Sequence, residues 1–206
     1  MSLLAPRKAR PLARVHRRER DDARIVIATE DTFAPRQYFA AFERPRVSIE
    51  VVETTDGMSA ARHVVDRLKA VHDEAQRRGE LQSNDQFWVL LDTDHWTEPS
   101  HVAAFSRAVK EAEDMGFRLA ISNPCFELWL LLHVADAPAV AGRCDGVEAE
   151  LRRKLGGYSK TNIPTARLMP GVDEAITRAR TLDTAGRWPQ RTGTGVFRLV
   201  EAIRNG

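Results

Sequence analysis

Cysteine and long apolar segments are both scarce in this chain of 206 residues. The two cysteines, Cys125 and Cys144, are too few for a disulfide framework and lack C-x-x-C spacing, so we expect free thiols in a reducing cytoplasm. The longest apolar run, 128–132, is far shorter than the about 20 residues of a membrane-spanning helix. The chain begins without an apolar segment and cleavage site, so we expect neither a secretory signal nor a membrane partner.

Charge is nearly balanced overall but uneven along the chain. The sequence is 43% hydrophobic and 29% charged with a net charge of +2, which is typical of an ordinary globular protein. Residues 1–20, however, hold seven basic residues against Glu19 alone, a net charge of +6. Two interpretations of this arm remain open: a solvated, partly disordered tail, or a nucleic-acid-binding segment. In the second, the contacts would come from Arg14, Arg17, Arg18 and Arg20.

The order of apolar segments predicts an α/β fold. Four strand-like segments alternate with helical ones, and such βα units form a parallel sheet covered by helices. The predicted strands are 24–29, 47–52, 86–91 and 117–121, and the predicted helices are 35–42, 59–78, 100–115 and 124–133. The remainder predicts helices at 147–155, 165–182 (interrupted or begun at Pro170) and 194–204, with a flexible joint at 156–160. We therefore expect an arm (1–22), an α/β core (23–140) with a four-stranded sheet, and a C-terminal helical extension (141–206).

Acidic side chains follow two of the predicted strands. Asp92 and Asp94 come directly after the apolar segment 87–91, and Glu30 follows the segment 24–29. In parallel sheets ligands bind beyond the carboxyl ends of the strands, and side chains at i and i+2 of an extended segment point the same way. Two interpretations of the aspartate pair remain open: a helix cap followed by a turn, or two ligands of one hard cation.

Binding of a metal ion becomes the favoured interpretation if the first and third strands are neighbours. Glu30, Asp92 and Asp94 would then meet at one edge of the sheet, where carboxylates repel one another unless a cation is bound. We therefore expect Mg²⁺ or Mn²⁺ as the cofactor, with these three residues as metal ligands and catalytic residues. A metal held there would stabilise the charge that develops during phosphodiester cleavage.

One segment closely resembles a known family. Residues 122–133 read S-N-P-C-F-E-L-W-L-L-L-H, which is similar to the characteristic segment of the RloB-like family. Weaker matches are Tyr38-Phe39, Tyr158 with Lys160, and the helix 194–203, so that the resemblance covers about residues 20–204. A glutamate after one strand and D-x-D after another also resemble the Toprim fold of topoisomerases, bacterial primases and OLD-type nucleases.

This resemblance implies a fold and a function. The implied fold is a Toprim-like Rossmannoid sandwich with a central, mostly parallel sheet flanked by helices. The implied function is that of a nuclease in restriction-associated phage defence of the abortive-infection type, acting on DNA or RNA with a partner protein encoded nearby. It also implies that Lys160 and Tyr158 contact a phosphate near the site.

The chain departs from the family in the turn after the first strand. The family usually shows C-E-G-E-K-T-E, whereas residues 29–35 read T-E-D-T-F-A-P. Asp31 replaces a glycine that would let the backbone approach a phosphate closely, and Thr32 replaces the second glutamate. Asp31 would either hinder that approach or supply the missing carboxylate.

Several further candidates have both a structural and a functional interpretation. Glu127 would complement a helix dipole or add a fourth acidic group, and Asn123 would cap a helix, with Pro124 in its first turn, or face the ligand. His95 adjoins Asp94 but lacks zinc-type spacing to other ligands. Lys160 follows two glycines, yet Ser159 stands where a phosphate-binding loop needs glycine, so we reject a P-loop.

The sequence leaves two functions open. The first is a metal-dependent nuclease or related phosphotransfer enzyme. The second is a non-catalytic nucleic-acid- or nucleotide-binding sensor or scaffold, which the altered turn after Glu30 favours. Two other D-x-D classes fit less well: haloacid-dehalogenase-type phosphatases need threonine or valine where Trp96 stands, and glycosyltransferases leave Glu30 without a role.

Overall fold

The computed structural model describes residues 22–31, 33–42, 45–52, 54, 60–94, 99–137, 143–182 and 186–206. Two predicted features lie outside these residues: the basic arm, including Arg14, Arg17, Arg18 and Arg20, and the residue His95.

A five-stranded, mostly parallel sheet lies at the centre of the protein. Its strands are β1 (Ala23–Thr29), β2 (Val47–Val52), β3 (Gln86–Asp92), β4 (Arg118–Asn123) and β5 (Gly193–Thr194). They are ordered β2-β1-β3-β4-β5, with the first four parallel and β5 antiparallel to β4. The four parallel strands are confirmed. The expected total of four is wrong, because β5 is only two residues long and carries no alternating pattern of its own.

Helices follow the strands as the βα pattern predicts. They are α1 (Phe33–Ala40), α2 (Ala61–Arg78), α3 (Pro99–Asp114), α4 (Phe126–Leu132), α5 (Cys144–Leu155), α6 (Thr165–Leu168), α7 (Val172–Leu182) and α8 (Val196–Asn205). A 3₁₀ turn at Met169–Gly171 separates α6 from α7, so the predicted interruption at Pro170 is confirmed. Gly79, in the left-handed region with φ of 68°, ends α2 as glycine does after many helices. Among the described helices, none is both long and apolar enough to cross a membrane.

The sheet separates two hydrophobic clusters. Ile25 and Ile27 of β1 pack on one face with α1, α4, α5, α7 and α8, whereas Val26 and Ala28 pack on the other face with α2 and α3. Each fully buried Ile or Val side chain contributes on the order of 1.5–3 kcal/mol. Burial on both faces explains why β1 and β3 are continuous apolar runs rather than alternating ones.

The junction between β4 and α4 differs from the prediction. Asn123 is still part of β4, where it pairs with Gly193, so it cannot cap α4 as expected. Pro124 follows through a cis peptide bond, and α4 begins at Phe126 with Cys125 as the preceding residue. The backbone must turn out of the sheet first, which places the helix start two residues later than the Asn-Pro signal indicates.

Two further expectations are wrong. Cys125 and Cys144 are joined by a disulfide, so the free thiols expected from the cysteine count are absent from this structure. Their 19-residue separation hides the fact that the start of α5 returns to the start of α4. The segment 156–160 is not simply a flexible joint, because the side chains of Tyr158 and Lys160 are held by a buried carboxylate.

Candidate functional site

The first and third strands are neighbours, which brings the predicted acidic residues to one edge of the sheet. β1 pairs with β3 in parallel, with Thr29 opposite Leu90. Glu30 and Asp92 therefore both leave the sheet at its carboxyl edge, and Asp94 follows in the turn after β3. One carboxylate oxygen of each residue is buried: Oε1 of Glu30, Oδ1 of Asp92 and Oδ1 of Asp94.

The turn after β3 is fixed by the segment that resembles the family. The backbone N–H groups of Thr93 and Asp94 both donate to the carbonyl oxygen of Pro124, at 2.9 and 3.1 Å. The N–H of Thr93 also donates to the carbonyl of Ser122, at 3.0 Å. Asp92 is the last residue of β3 and not a helix cap, whereas Asp94 lies in the turn that follows the strand.

Electrostatic repulsion is concentrated on Asp92. Burial raises the pKa of Asp92 well above its usual value, and the neighbouring Glu30, Glu127 and Asp94 raise it further, while Lys160 opposes them. The buried Oδ1 of Asp92 accepts no hydrogen bond from the described residues. A buried carboxylate oxygen that accepts no hydrogen bond from the described residues, with like charges nearby, is the kind of group that a cation stabilises.

An arginine that the sequence does not single out lies beside Glu30. Arg67, on α2, donates from Nη2 to the carbonyl oxygen of Thr29 at 3.0 Å. Burial lowers the pKa of Arg67, and the charge of Glu30 partly offsets that effect. The only local signal for Arg67 was a basic residue on an amphipathic helix, which ordinarily indicates a solvated face.

Glu127 is buried and already bound by two side chains. It is 2% exposed, and its Oε1 accepts hydrogen bonds from the Tyr158 hydroxyl and from Lys160 Nζ, each at 3.0 Å. Lys160 Nζ also lies 3.3 Å from Glu148 Oε1. Burial works to lower the pKa of Lys160, but Glu127 and Glu148 outweigh it and hold that pKa above its usual value. Lys160 is therefore a fixed cation among carboxylates.

In the turn that departs from the family pattern, the Asp31 side chain binds the start of the next helix. Oδ1 of Asp31 accepts a hydrogen bond from the backbone N–H of Phe33 at 2.8 Å, which is the geometry of a cap at the start of α1. Gln37, one turn further along α1, donates to the carbonyl oxygen of Lys160 at 2.9 Å. Its Oε1 accepts from the N–H of Ile163 at 3.0 Å, so α1 and the 158–163 segment are joined.

The side chain of Asn123 contacts the segment before β5. Its Nδ2 donates to the carbonyl oxygen of Pro189 at 3.0 Å, which connects the end of β4 to the segment before β5. Next to it, Ser122 and Thr194 are fully buried and share a hydrogen bond of 2.8 Å. These contacts hold the antiparallel strand β5 against the sheet.

Comparison with known proteins gives a family and no nearer relative. No curated protein and no solved structure matches the chain. The model of one family, described as RloB-like protein, matches residues 25–203. That range contains both predicted acidic turns, the Pro124 junction and the Tyr158–Lys160 segment. Because the match covers most of the chain, the protein belongs to the RloB-like family.

Proposed function

We propose that this protein is a divalent-metal-dependent nuclease that uses Glu30, Asp92 and Asp94 to hold Mg²⁺ or Mn²⁺. The observation that carries the proposal is geometric: Glu30 and Asp92 leave neighbouring strands at one edge of the sheet, Asp94 follows in the next turn, and one carboxylate oxygen of each is buried. Carboxylates gathered in this way repel one another unless a cation is bound. A dication would relieve this repulsion, and carboxylate oxygens are the ligands that Mg²⁺ and Mn²⁺ prefer. The buried Oδ1 of Asp92, which accepts no hydrogen bond from the described residues, fits a metal ligand.

The chain's own residues would divide the remaining work. When bound, the metal would polarise a phosphate oxygen and lower the pKa of an attacking water. Lys160, held 3.0 Å from Glu127, would place a positive charge where the phosphate becomes more negative in the transition state. Arg67 would hold the turn after β1 in place through the Thr29 carbonyl, so that Glu30 keeps its position.

Nucleic acid is the substrate that we propose. Phe33, next to the acidic turn, is 63% exposed, which is unusual for a large aromatic side chain. An exposed ring beside a phosphate-cleaving site provides a surface on which an unpaired base stacks. The basic arm at residues 1–20 would add contacts to the phosphate backbone.

The test is hydrolysis of single-stranded DNA, duplex DNA and RNA with Mg²⁺ or Mn²⁺. We expect Asp92→Asn and Asp94→Asn each to reduce cleavage by roughly 100-fold or more, because each removes a charge that holds the metal. Asp114→Asn is a matched control, since Asp114 is an exposed aspartate at the end of α3 paired with Lys110. Intact substrate after incubation with the folded wild-type protein and either metal, across the whole panel, would refute the nuclease proposal.

A second candidate is a non-catalytic nucleic-acid- or nucleotide-binding sensor. The capping role of Asp31 favours it, because this carboxylate is engaged with the Phe33 N–H where the family usually has glycine. Calorimetric titration with Mn²⁺ separates the two candidates. The nuclease requires metal binding that Asp92→Asn abolishes, whereas the sensor would bind an oligonucleotide without it.

We also propose that the activity serves anti-phage defence in the cytoplasm, with a partner protein encoded nearby. Membership of the RloB-like family supports this proposal. Its test is a phage challenge of cells that express the wild-type protein or Asp92→Asn, with and without the neighbouring genes. Equal phage yields with the two proteins in every combination would contradict it.

A further inference from the structure

Two cysteines and a glutamate form a compact group of donor atoms beside the acidic edge. One carboxylate oxygen of Glu127 and the Sγ atoms of Cys125 and Cys144 all lie within 4.8 Å of one another. The contact between Cys144 Sγ and Glu127 Oε2 is 3.4 Å long. A disulfide sulfur has no hydrogen to donate, so in the oxidised protein this contact is not a hydrogen bond, and Oε2 gains nothing from it.

The donor types point to a soft metal ion. Zn²⁺ in proteins takes cysteine sulfur at about 2.3 Å and carboxylate oxygen at about 2.1 Å in a tetrahedral arrangement. Two such ligands of one ion lie roughly 3.5 Å apart by that geometry, which is close to the present contact between Cys144 and Glu127. The two sulfurs are bonded to each other and must separate before either can bind a metal.

We propose that reduction of the Cys125–Cys144 disulfide converts this group into a site for one zinc-class metal ion, with Cys125, Cys144 and Glu127 as ligands and water in the fourth position. A dithiol reductant supplies two electrons and two protons, the S–S bond breaks to give two thiols, and the reductant becomes a disulfide. Metal binding then releases the two thiol protons to solvent. The disulfide and the metal-bound form exclude each other.

The charges around Cys125, Cys144 and Glu127 suit a bound dication. Two thiolates and the Glu127 carboxylate exceed the charge of a dication by one negative unit, and Lys160 Nζ, 3.0 Å from Glu127 Oε1, supplies the balancing positive charge. Another carboxylate nearby, Glu148, is paired with Arg152 at 2.8 Å as well as with Lys160.

The surroundings also orient the carboxylate. Tyr158 and Lys160 both bind Oε1 of Glu127, which leaves Oε2 in contact with the sulfur of Cys144. Hydrogen bonds of this kind, made to the ligand by residues that do not touch the metal, commonly fix ligand orientation in metal sites. Cys125 and Glu127 are almost fully buried at 1% and 2% exposure, so the metal would enter past Cys144, which is partly exposed.

The test uses Co²⁺ as a spectroscopic substitute for Zn²⁺. The full chain is reduced with a dithiol, separated from the reductant without oxygen, and titrated with Co²⁺. We expect thiolate-to-cobalt charge-transfer absorption and tetrahedral d–d bands that one equivalent of Zn²⁺ removes. The oxidised protein should show neither. Cys125→Ser or Cys144→Ser should abolish the charge-transfer band. Glu127→Gln should weaken Co²⁺ binding by about 10-fold or more, because changes to residues that only orient a ligand already cost about 10–100-fold.

A matched control separates this site from the proposed Mg²⁺ site. Asp92→Asn should leave the charge-transfer band unchanged, because a site made of carboxylates gives no thiolate absorption. Failure of the nuclease proposal would therefore not affect this result. The metal-site proposal is overturned if the reduced, folded protein shows two reactive thiols but no cobalt–thiolate band.

A second measurement needs no variant. In the reduced wild-type protein, one equivalent of Zn²⁺ should slow disulfide re-formation by oxidised glutathione at least several-fold, because the thiolates are then occupied. Equal oxidation rates with and without Zn²⁺ would overturn the proposal. So would a disulfide that is reduced only when the protein unfolds, since its role is then purely structural.

Discussion

Lowering the pH should destabilise this protein through one buried histidine. His133, at the end of α4, is 5% exposed, and its Nε2 lies 3.0 Å from the Tyr38 hydroxyl. Its Nδ1 lies 2.9 Å from the carbonyl oxygen of Trp129. These partners suit the neutral ring, in which Nδ1–H donates to the carbonyl and Nε2 accepts from the tyrosine. Burial accordingly lowers the pKa of His133 to about 4.

The size of the effect follows from the difference between the folded and unfolded pKa values. In the unfolded chain histidine titrates near 6.5, so the pKa gap is 2.5 units, or about 3 kcal/mol at 1.36 kcal/mol per unit. Above pH 6.5 the ring is neutral in both states, and the full stability is present. Below it only the unfolded chain takes up the proton, so stability is lost until the pH reaches about 4. Between about pH 7.5 and 5.0 the expected loss is about 2 kcal/mol.

Urea unfolding across this pH range, followed by circular dichroism, measures the loss. Carboxylates also titrate near the lower end, so His133→Gln, which cannot titrate, is the matched control. The free-energy difference between the wild type and His133→Gln should shrink by about 2 kcal/mol as the pH falls from about 7.5 to 5.0. Curves that run parallel over this range would refute the reasoning, as would a His133 pKa near 6.5 measured by NMR in the folded protein.

Three other substitutions test the packing, the lysine and the exposed ring. Gly171→Ala should lower the free energy of unfolding in urea by about 1–3 kcal/mol, because the added Cβ would lie within 3 Å of the His133 carbonyl oxygen. The control Gly146→Ala, whose Cβ would lie in open space on α5, should not destabilise the protein. Equal losses in the two variants would contradict this prediction. Lys160→Met should lower the free energy of unfolding by about 2 kcal/mol, a value reduced for the partial exposure of the lysine, because it leaves the charge of buried Glu127 uncompensated. Adding Glu127→Gln should recover most of this loss. Simple additivity of the two effects in the double-mutant cycle would argue against the pairing. Phe33→Ala should weaken single-stranded oligonucleotide binding, measured by fluorescence anisotropy, by about 1–3 kcal/mol if a base stacks on the ring, whereas an unchanged Kd would exclude stacking.

The parallel strands and the acidic edge could be predicted because their signals are local. The run 87–91 is apolar throughout since both faces of β3 are buried, and Asp92 follows it immediately. The sequence of either strand does not indicate which strand lies beside it, so the prediction of a shared site depends on β1 and β3 being neighbours. The structure meets that condition, so Glu30 and Asp92 lie at the same edge.

Features that depend on distant segments could not be predicted. Arg67 reaches the Thr29 carbonyl from 38 residues away, and Tyr158 binds Glu127 across 31 residues. No local pattern indicates such pairs, because each depends on how the later segments of the chain pack against the sheet. The disulfide has the same origin, since cysteine spacing alone does not reveal that α5 starts beside α4.

The Pro124 carbonyl links the position of the acidic turn to the packing of the core. Because the N–H groups of Thr93 and Asp94 both donate to it, the position of the aspartates follows the position of the chain that leads into α4. Every residue of α4, from Phe126 to Leu132, is buried. Substitutions deep in that helix should therefore shift the aspartates at the edge of the sheet before they unfold the protein.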